Sequence, residues 1–470
     1  MKNYDPYKKT ILFIVSLISI LLMTTVFAYV WYNYYFETMY RFKFYRRGNY
    51  MLIALYAAVL LFFSSMYGGL KIGQLRKVEV VLSHFLSLFM TNMVIYIVIS
   101  LLAFRLVNPT VLFIMMLVEM AISIIFNNIV IYFYNSIFQP WKILLIYGNR
   151  PAVGLVNKVE TRRDKYAIYD AINVNEGIDA VADKMKDFQA VIIGDISAVE
   201  RNDVLKYCYS NGIRAYVVPK ISDILLMGAD RIHIFDTPFM LSKGYTLSFD
   251  QLLAKRILDL VLASLVIIIT SPIMLLAAAA IKFYDKGPIL YKQTRLTKDD
   301  KEFKIYKFRS MIVNAEGDGV AKLAKENDDR ITPVGHFIRA TRIDELPQLF
   351  NILKGDMSFV GPRPERPEIA NEYCKEIPEF CFRTKVKAGL TGYAQVYGKY
   401  NTTPYDKLKL DLFYISNYSL WTDIKLILMT VKIIFKKEAT EGVDDDWTAA
   451  TKDINAEVEK IVKVRDMVEK

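Results

Sequence analysis

Residues 257–281 read ILDLVLASLVIIITSPIMLLAAAAI, and how this stretch meets a membrane decides the architecture on either side of it. It is apolar over a length that a bilayer core, which needs about 20 such residues, would accept. Ser271-Pro272 interrupts it near the middle. Proline removes a helical donor and clashes with the preceding turn, and a neighbouring serine can satisfy the backbone group that is freed. At a rise of about 1.5 Å per residue the arms are about 21 Å and about 15 Å long. Neither crosses a hydrocarbon core of about 30 Å alone. Lys255 and Arg256 precede the stretch, and Lys282 and Lys286 follow it. Positive charge at both ends suits a segment that enters and leaves on one cytoplasmic face. The pattern predicts a re-entrant membrane hairpin broken at Ser271 and Pro272, in preference to a kinked fifth span.

Working toward the N-terminus, apolar runs at 11–31, 51–66, 80–104 and 111–134 predict four transmembrane helices. The first run is too long for a cleaved signal peptide, and more spans follow it. Lys2, Lys8, Lys9, Lys71, Arg76 and Lys77 favour a cytoplasmic N-terminus, whereas Arg41, Lys43, Arg46 and Arg47 place positive charge in the first loop. The topology of that loop stays open. An even number of spans puts both ends on one side. Cys208, Cys374 and Cys381 are too few and too scattered for a disulfide framework, which suits a reducing compartment. The expectation is a multi-pass protein of the cell membrane with its polar remainder on the cytoplasmic face.

From Trp141 the pattern changes. Short apolar runs at 143–147, 190–193 and 215–218 predict buried parallel strands, with helices between them at 152–159, 177–186 and 202–211. Alternating strands and helices predict a Rossmann-like α/β domain. A dinucleotide fingerprint needs Gly-x-Gly-x-x-Gly after the first strand. Here Gly148 and Gly154 are wrongly spaced, so the domain is read as degenerate. Tyr216 and Lys220 have a reductase-like spacing, but on a strand ending at Pro219 they would share no helical face. The domain boundaries expected are 1–140, 141–243, 244–440 and a charged tail at 441–470, and 420–435 suits an interfacial amphipathic helix or a core helix.

Past the hairpin the chain fills with arginine, lysine and isolated carboxylates. Lys307, Arg309, Arg339, Arg342 and Arg363 surround, in sequence, the pair Asp344-Glu345. Guanidinium forks match phosphate oxygens. Cations near Asp344 would keep its carboxylate ionised and nucleophilic, and Glu345 could help hold Mg²⁺ against a diphosphate. A net charge of +11 suits anionic partners such as phospholipid headgroups or nucleotides. No zinc-finger spacing or basic recognition helix supports nucleic acid as a partner. His84, His233 and His336 are isolated and offer no metal cluster.

Several blocks in order carry a resemblance. Lys307-Phe-Arg-Ser-Met311, Arg342-Ile-Asp-Glu-Leu-Pro-Gln-Leu-Phe-Asn351, Lys354-Gly-Asp-Met-Ser358, Val360-Gly-Pro-Arg-Pro-Glu365 and Lys387-Ala-Gly-Leu-Thr-Gly392 resemble the signature of bacterial sugar transferases, the monotopic polyprenyl-phosphate phosphoglycosyl transferases. Gln395-Val396 and residues 418–423 are similar to further blocks of that family. The resemblance runs from about residue 254 to 435. Four spans and an α/β domain ahead of it resemble the family's long form. This implies an α-rich catalytic domain that moves a sugar-1-phosphate from a UDP-sugar to undecaprenyl phosphate and releases UMP. Asp344 would form a covalent phosphosugar intermediate, Glu345 would be the Mg²⁺-associated carboxylate, and Arg363 would be a phosphate clamp. Lys307, Arg309, Arg339 and Arg342 would be further phosphate ligands. Thr297 departs from a glycine in the pattern, as do Tyr393-Ala394 and Gly398-Lys399 from their blocks. Beside this stand an NAD-dependent enzyme using residues 141–240 and a non-enzymatic scaffold in the lipid bilayer. The sequence leaves open the sugar, the polymer that is started, and whether the chain forms a homodimer.

Overall fold

The structure is a computed structural model, and it describes residues 5–36, 46–148, 153–162, 165–242, 244, 247–313, 330–398 and 402–434. The charged tail, the first-loop residues Arg41 and Lys43, and the turn at 149–152 lie outside them. The chain divides into two compact units, Met1–Val218 and Pro219–Ala449.

The first unit opens with four long helices, α1 (Lys8–Val30), α2 (Arg46–Tyr67), α3 (Lys77–Leu102) and α4 (Thr110–Ile137). Each is long and apolar enough to cross a membrane. α1 packs on α2 and α4, and α3 packs on the same two. An α/β region follows, with β1 (Trp141–Tyr147), α5 (Val153–Glu160), β2 (Tyr166–Asn173), α6 (Ile178–Met185), β3 (Ala190–Ile193), α7 (Ala198–Ser210) and β4 (Arg214–Val217). The four strands form a parallel sheet in the order β2-β1-β3-β4. β1 and β3 are wholly apolar where they are central, which made them legible. β2 escaped the sequence reading because its edge position lets Asp170 and Asn173 interrupt the apolar pattern.

The second unit begins with α8 (Ile221–Met227) and an antiparallel hairpin of β5 (Asp230–Ile234) and β6 (Thr237–Leu241). The boundary expected at 243 and the compact division at Val218 therefore differ. The cause is packing: Ile224 of α8 is buried in the same apolar cluster as Leu408 and Leu412. Next comes α9 (Phe249–Asp285), a fifth helix long and apolar enough to cross a membrane. It stays helical through Ser271 and Pro272, where the sequence predicted a break. Pro272 offers no N–H to the carbonyl of Ile268, and Ser271 Oγ donates to that oxygen instead at 2.9 Å.

The rest of the unit is built on α9. β7 (Leu290–Leu296) and β8 (Glu302–Phe308) form an antiparallel pair, followed by α10 (Pro333–Ala340) and α11 (Gln348–Lys354). β9 (Ser358–Val360), α12 (Pro367–Glu376), β10 (Gly389–Thr391), α13 (Tyr393–Tyr397), α14 (Pro404–Ser416) and α15 (Leu420–Ile434) complete it. In the first half of α9, Ala263 is buried with Phe303, Leu349 and Ile352. In the second half, Ala277 and Ile281 are buried with Phe308 and Ile338. Both flanks are fastened by ion pairs. Lys255 Nζ lies 2.6 Å from Asp423 Oδ2, and Asp285 pairs with Arg309. Arg256 donates to the carbonyls of Ile352 and Leu353 at 2.7 and 2.8 Å. The basic residues before the apolar stretch are thus bound to protein. α15 turns Asp423 and Leu426 inward while Trp421 stays exposed.

Candidate active site

The acidic pair lies on a single 3-10 turn, Ile343–Glu345, between α10 and α11. Arg342 starts that turn with φ at +59°, in the left-handed region that side chains other than glycine seldom occupy. Strain of this kind persists where surrounding contacts determine it. Here Arg342 Nη1 lies 3.9 Å from Glu345 Oε1. Lys307 of β8 approaches the same oxygen at 3.2 Å, and Arg363 Nη2 donates to it at 2.8 Å. Three cations from separate sequence blocks therefore converge on one carboxylate oxygen.

The pair is electrostatically divided. Asp344 is buried, and burial together with the charge of Glu345 raises its pKa, against the opposing pull of Lys307, Arg339 and Arg342. Burial acts on Glu345 too, but Arg363, Lys307 and Arg342 outweigh it and hold its carboxyl well below the usual carboxylate range. Lys307 is pulled down, first by burial, and Arg363 is pushed up, first by Glu345. The result is one firmly anionic carboxylate locked by cations, beside a second with no ion pair among the described residues.

Arg339 stands on α10 one turn before the pair, with its Nη1 buried and lacking a hydrogen-bond partner among the described residues. Arg309 is turned elsewhere, to Asp285 at the end of α9. Gly287 makes room for it, since a Cβ there would sit 2.1 Å from Arg309 Nη1. Ser271 and Pro272 lie within α9 and do not enter the cluster.

The turn carrying Arg363 is fixed from behind by a charged set of which Arg383, Lys407 and Asp411 were not singled out from the sequence. Arg383, buried on the segment Pro378–Lys385, donates Nε to Asp411 Oδ2 at 2.6 Å and Nη2 to the carbonyl of Arg363 at 3.1 Å. Its Nη1 lies 3.7 Å from Glu365, which also pairs with Lys407. Arg295 Nη1 donates to the carbonyl of Pro364 at 3.2 Å, and burial lowers its pKa to about 10. These charges are scattered along the chain, so only folding reveals them as a set. Gly361 adds a close approach: a Cβ there would sit 2.3 Å from the carbonyl oxygen of Lys387. Thr297 now has a role. Its Oγ1 donates to the carbonyl of Asp356 at 2.8 Å and accepts from the amide of Ala388 at 3.2 Å. A cavity of about 410 Å³ runs along the turn, bordered by Thr297, Arg363, Glu365, Phe380 and Arg383.

Comparison with known proteins fits this arrangement. The family model described as "Bacterial sugar transferase" matches residues 250–437. A UDP-glucose:undecaprenyl-phosphate glucose-1-phosphate transferase of Caulobacter vibrioides is 45% identical over 184 residues, covering 38% of this chain and 68% of that protein. The chain belongs to the bacterial sugar transferase family. A UDP-N-acetylgalactosamine-undecaprenyl-phosphate N-acetylgalactosaminephosphotransferase of Aeromonas hydrophila is 44% identical over 183 residues, 38% of this chain and 43% of that protein. A UDP-glucose:undecaprenyl-phosphate glucose-1-phosphate transferase of Escherichia coli K12 is 41% identical over 209 residues, 43% of each chain. The chain spans less than half the length of these two relatives, and the residues of this bacterial sugar transferase that the family model matches include the acidic pair.

Proposed function

We propose that this bacterial sugar transferase moves a sugar-1-phosphate from a UDP-sugar to undecaprenyl phosphate and so starts a polysaccharide or glycan. The observation that carries the reading is the division of the acidic pair. A nucleophile must be unblocked and poorly solvated, and Asp344 is buried without an ion pair among the described residues. Asp344 attacks the phosphorus of the sugar-linked phosphate, and the bond from that phosphorus to the bridging oxygen breaks. UMP leaves with the bridging oxygen and its electron pair. An oxygen of the lipid phosphate then attacks the same phosphorus. The bond to Asp344 breaks, giving the lipid diphosphate-sugar and restoring the carboxylate. Arg363, Lys307 and Arg342 hold Glu345 in place, and the guanidinium edge of Arg339 is the group available to phosphate oxygens.

Glu345 fits Mg²⁺ as a partial ligand. All three cations meet its Oε1, so Oε2 is the oxygen that would hold the ion. Among the described residues no group of three or more acidic, histidine or cysteine side chains could hold a metal, so the donor diphosphate would complete the shell. Bound there, Mg²⁺ would supply charge stabilisation to the diphosphate.

The re-entrant reading of α9 belongs to this proposal, with α1 to α4 as a membrane-spanning bundle and the catalytic unit on the cytoplasmic face. Its support is that both halves of α9 pack on one compact unit, with ion pairs at both ends. A helix crossing the bilayer once could not return its last turns to that unit.

The test is UMP release by the full chain in liposomes with undecaprenyl phosphate and a panel of UDP-sugars, followed by intact-mass analysis without the lipid. A single productive donor and a phosphosugar adduct absent from Asp344→Asn are expected. Undiminished UMP release by Asp344→Asn would falsify the nucleophile assignment.

A further inference from the structure

The helices α1 to α4 turn Phe13, Leu61, Ile97 and Ile125 outward, yet their interior holds polar side chains. At its centre Glu119 of α4 is fully buried. Tyr56 of α2 donates its hydroxyl to Glu119 Oε1 at 2.5 Å, and Asn92 of α3 donates its amide to Oε2 at 3.1 Å. Phe27 of α1 stacks on Tyr56 at 4.2 Å, and α1 otherwise buries Ser19, Ile20, Met23, Thr24 and Val30, none of them ionisable. The remaining charged residues that the sequence gives these helices fall in their first turns, among them Lys8, Lys9, Arg47, Lys77 and Glu79. Among the described residues, the side chains that hydrogen-bond to the carboxyl are both neutral.

A second observation points the same way. Asn92 Oδ1, Thr91 Oγ1, Asn127 Oδ1, His84 Nε2 and Ser64 Oγ are buried with no hydrogen-bond partner among the described residues. Asn127 lies two turns from Glu119 on the inward face of α4, with its amide on Ser123. Thr91 and His84 are two turns apart on the inward face of α3. His84 meets the turn after α2, where a Cβ on Gly69 would sit 3.6 Å from its Nε2 and the Gly69 amide donates to the backbone carbonyl of Ser64. The unsatisfied atoms thus lie on three of the four helices, buried among them. A carboxyl in an apolar interior without a cationic side chain needs its charge neutralised by something bound. Asn92 Oδ1 belongs to the amide whose nitrogen donates to Glu119, so turning that amide over brings a second oxygen ligand beside the carboxylate.

We propose that the helical unit binds an exchangeable monovalent cation, a proton or sodium, between Glu119 and Asn92. This site is separate from the acidic pair of the catalytic unit, and it stands whether or not the sugar-transfer reading does. The full chain in phosphatidylcholine liposomes is treated with dicyclohexylcarbodiimide, which modifies carboxyl groups in apolar surroundings, and the adduct on Glu119 is read by peptide mass spectrometry. An adduct suppressed by sodium chloride and untouched by choline chloride assigns sodium. One indifferent to sodium that fades as the pH is raised assigns the proton. Infrared difference spectra between the wild type and Glu119→Gln give an independent readout, since a carboxyl band that shifts in heavy water also supports exchange. Absence of both the adduct and the shifting band would show a sealed structural hydrogen bond and overturn the proposal.

Discussion

Neutralising the two members of the acidic pair one at a time should move stability in opposite directions. In Glu345→Gln the shape is kept, but Arg363, Lys307 and Arg342 lose the charge on which they converge at 2.8, 3.2 and 3.9 Å. Breaking a buried ion pair from one side costs about 3–5 kcal/mol, and because the side chains of Arg363 and Arg342 are 37% exposed and so screened by solvent, the lower end applies here. The unit that holds the pair is large enough that each 1 kcal/mol shifts its melting temperature by about 2–4 °C. The lower end of the cost then gives a fall of about 6–12 °C. Asp344 has the reverse sign. Its pKa is raised in the folded state by burial and by Glu345, so ionising it at neutral pH works against folding, and Asp344→Asn should raise the melting temperature by a few degrees. For Glu345, whose folded pKa is depressed, the stabilisation is present above its unfolded value and is lost on acidification. Thermal unfolding of the detergent-solubilised full chain, followed by intrinsic tryptophan fluorescence at matched scan rates, measures both variants. Equal falls for the two would refute the division of roles between them.

Four further outcomes follow from the geometry. Because the pKa of Asp344 is raised, its ionised form is lost on acidification at a higher pH than for a free aspartate, and the acid limb of single-turnover UMP release should sit accordingly; a limb at or below the free-aspartate value contradicts the burial argument. Thr297→Val removes the hydroxyl that joins the Asp356 carbonyl to the Ala388 amide and should cost about 1–3 kcal/mol in thermal unfolding. Arg383→Ala strips Glu365 and Asp411 of a buried partner and frees the carbonyl of Arg363, for a loss of about 3–5 kcal/mol and a raised KM for the UDP-sugar; an unchanged melting temperature would show the network to be dispensable. Cysteines placed singly at Phe249 and Phe283, near the two ends of α9, should react with an impermeant maleimide from the same membrane face, and labelling from opposite faces would make α9 a crossing span.

Local physics made much of this molecule legible before folding. The four long helices, the central strands β1 and β3, and the apolar stretch that became α9 all announce themselves by hydrophobic length. Ser271 even supplies the bond that Pro272 cannot. Asp344 and Glu345 are adjacent in the chain, so their nearness needed no tertiary structure. Their difference did. Arg363 and Lys307 reach Glu345 from positions 18 and 38 residues away, and only the packing of β8 and the Pro-Arg-Pro turn around one 3-10 turn directs them to a single oxygen. Likewise Arg309, which sequence placed with the phosphate ligands, is taken by Asp285 because α9 ends beside β8. Residue types and their order determined which chemistry the chain carries; long-range packing decided which charges meet, because electrostatic energy depends on distance in space and not on distance along the chain.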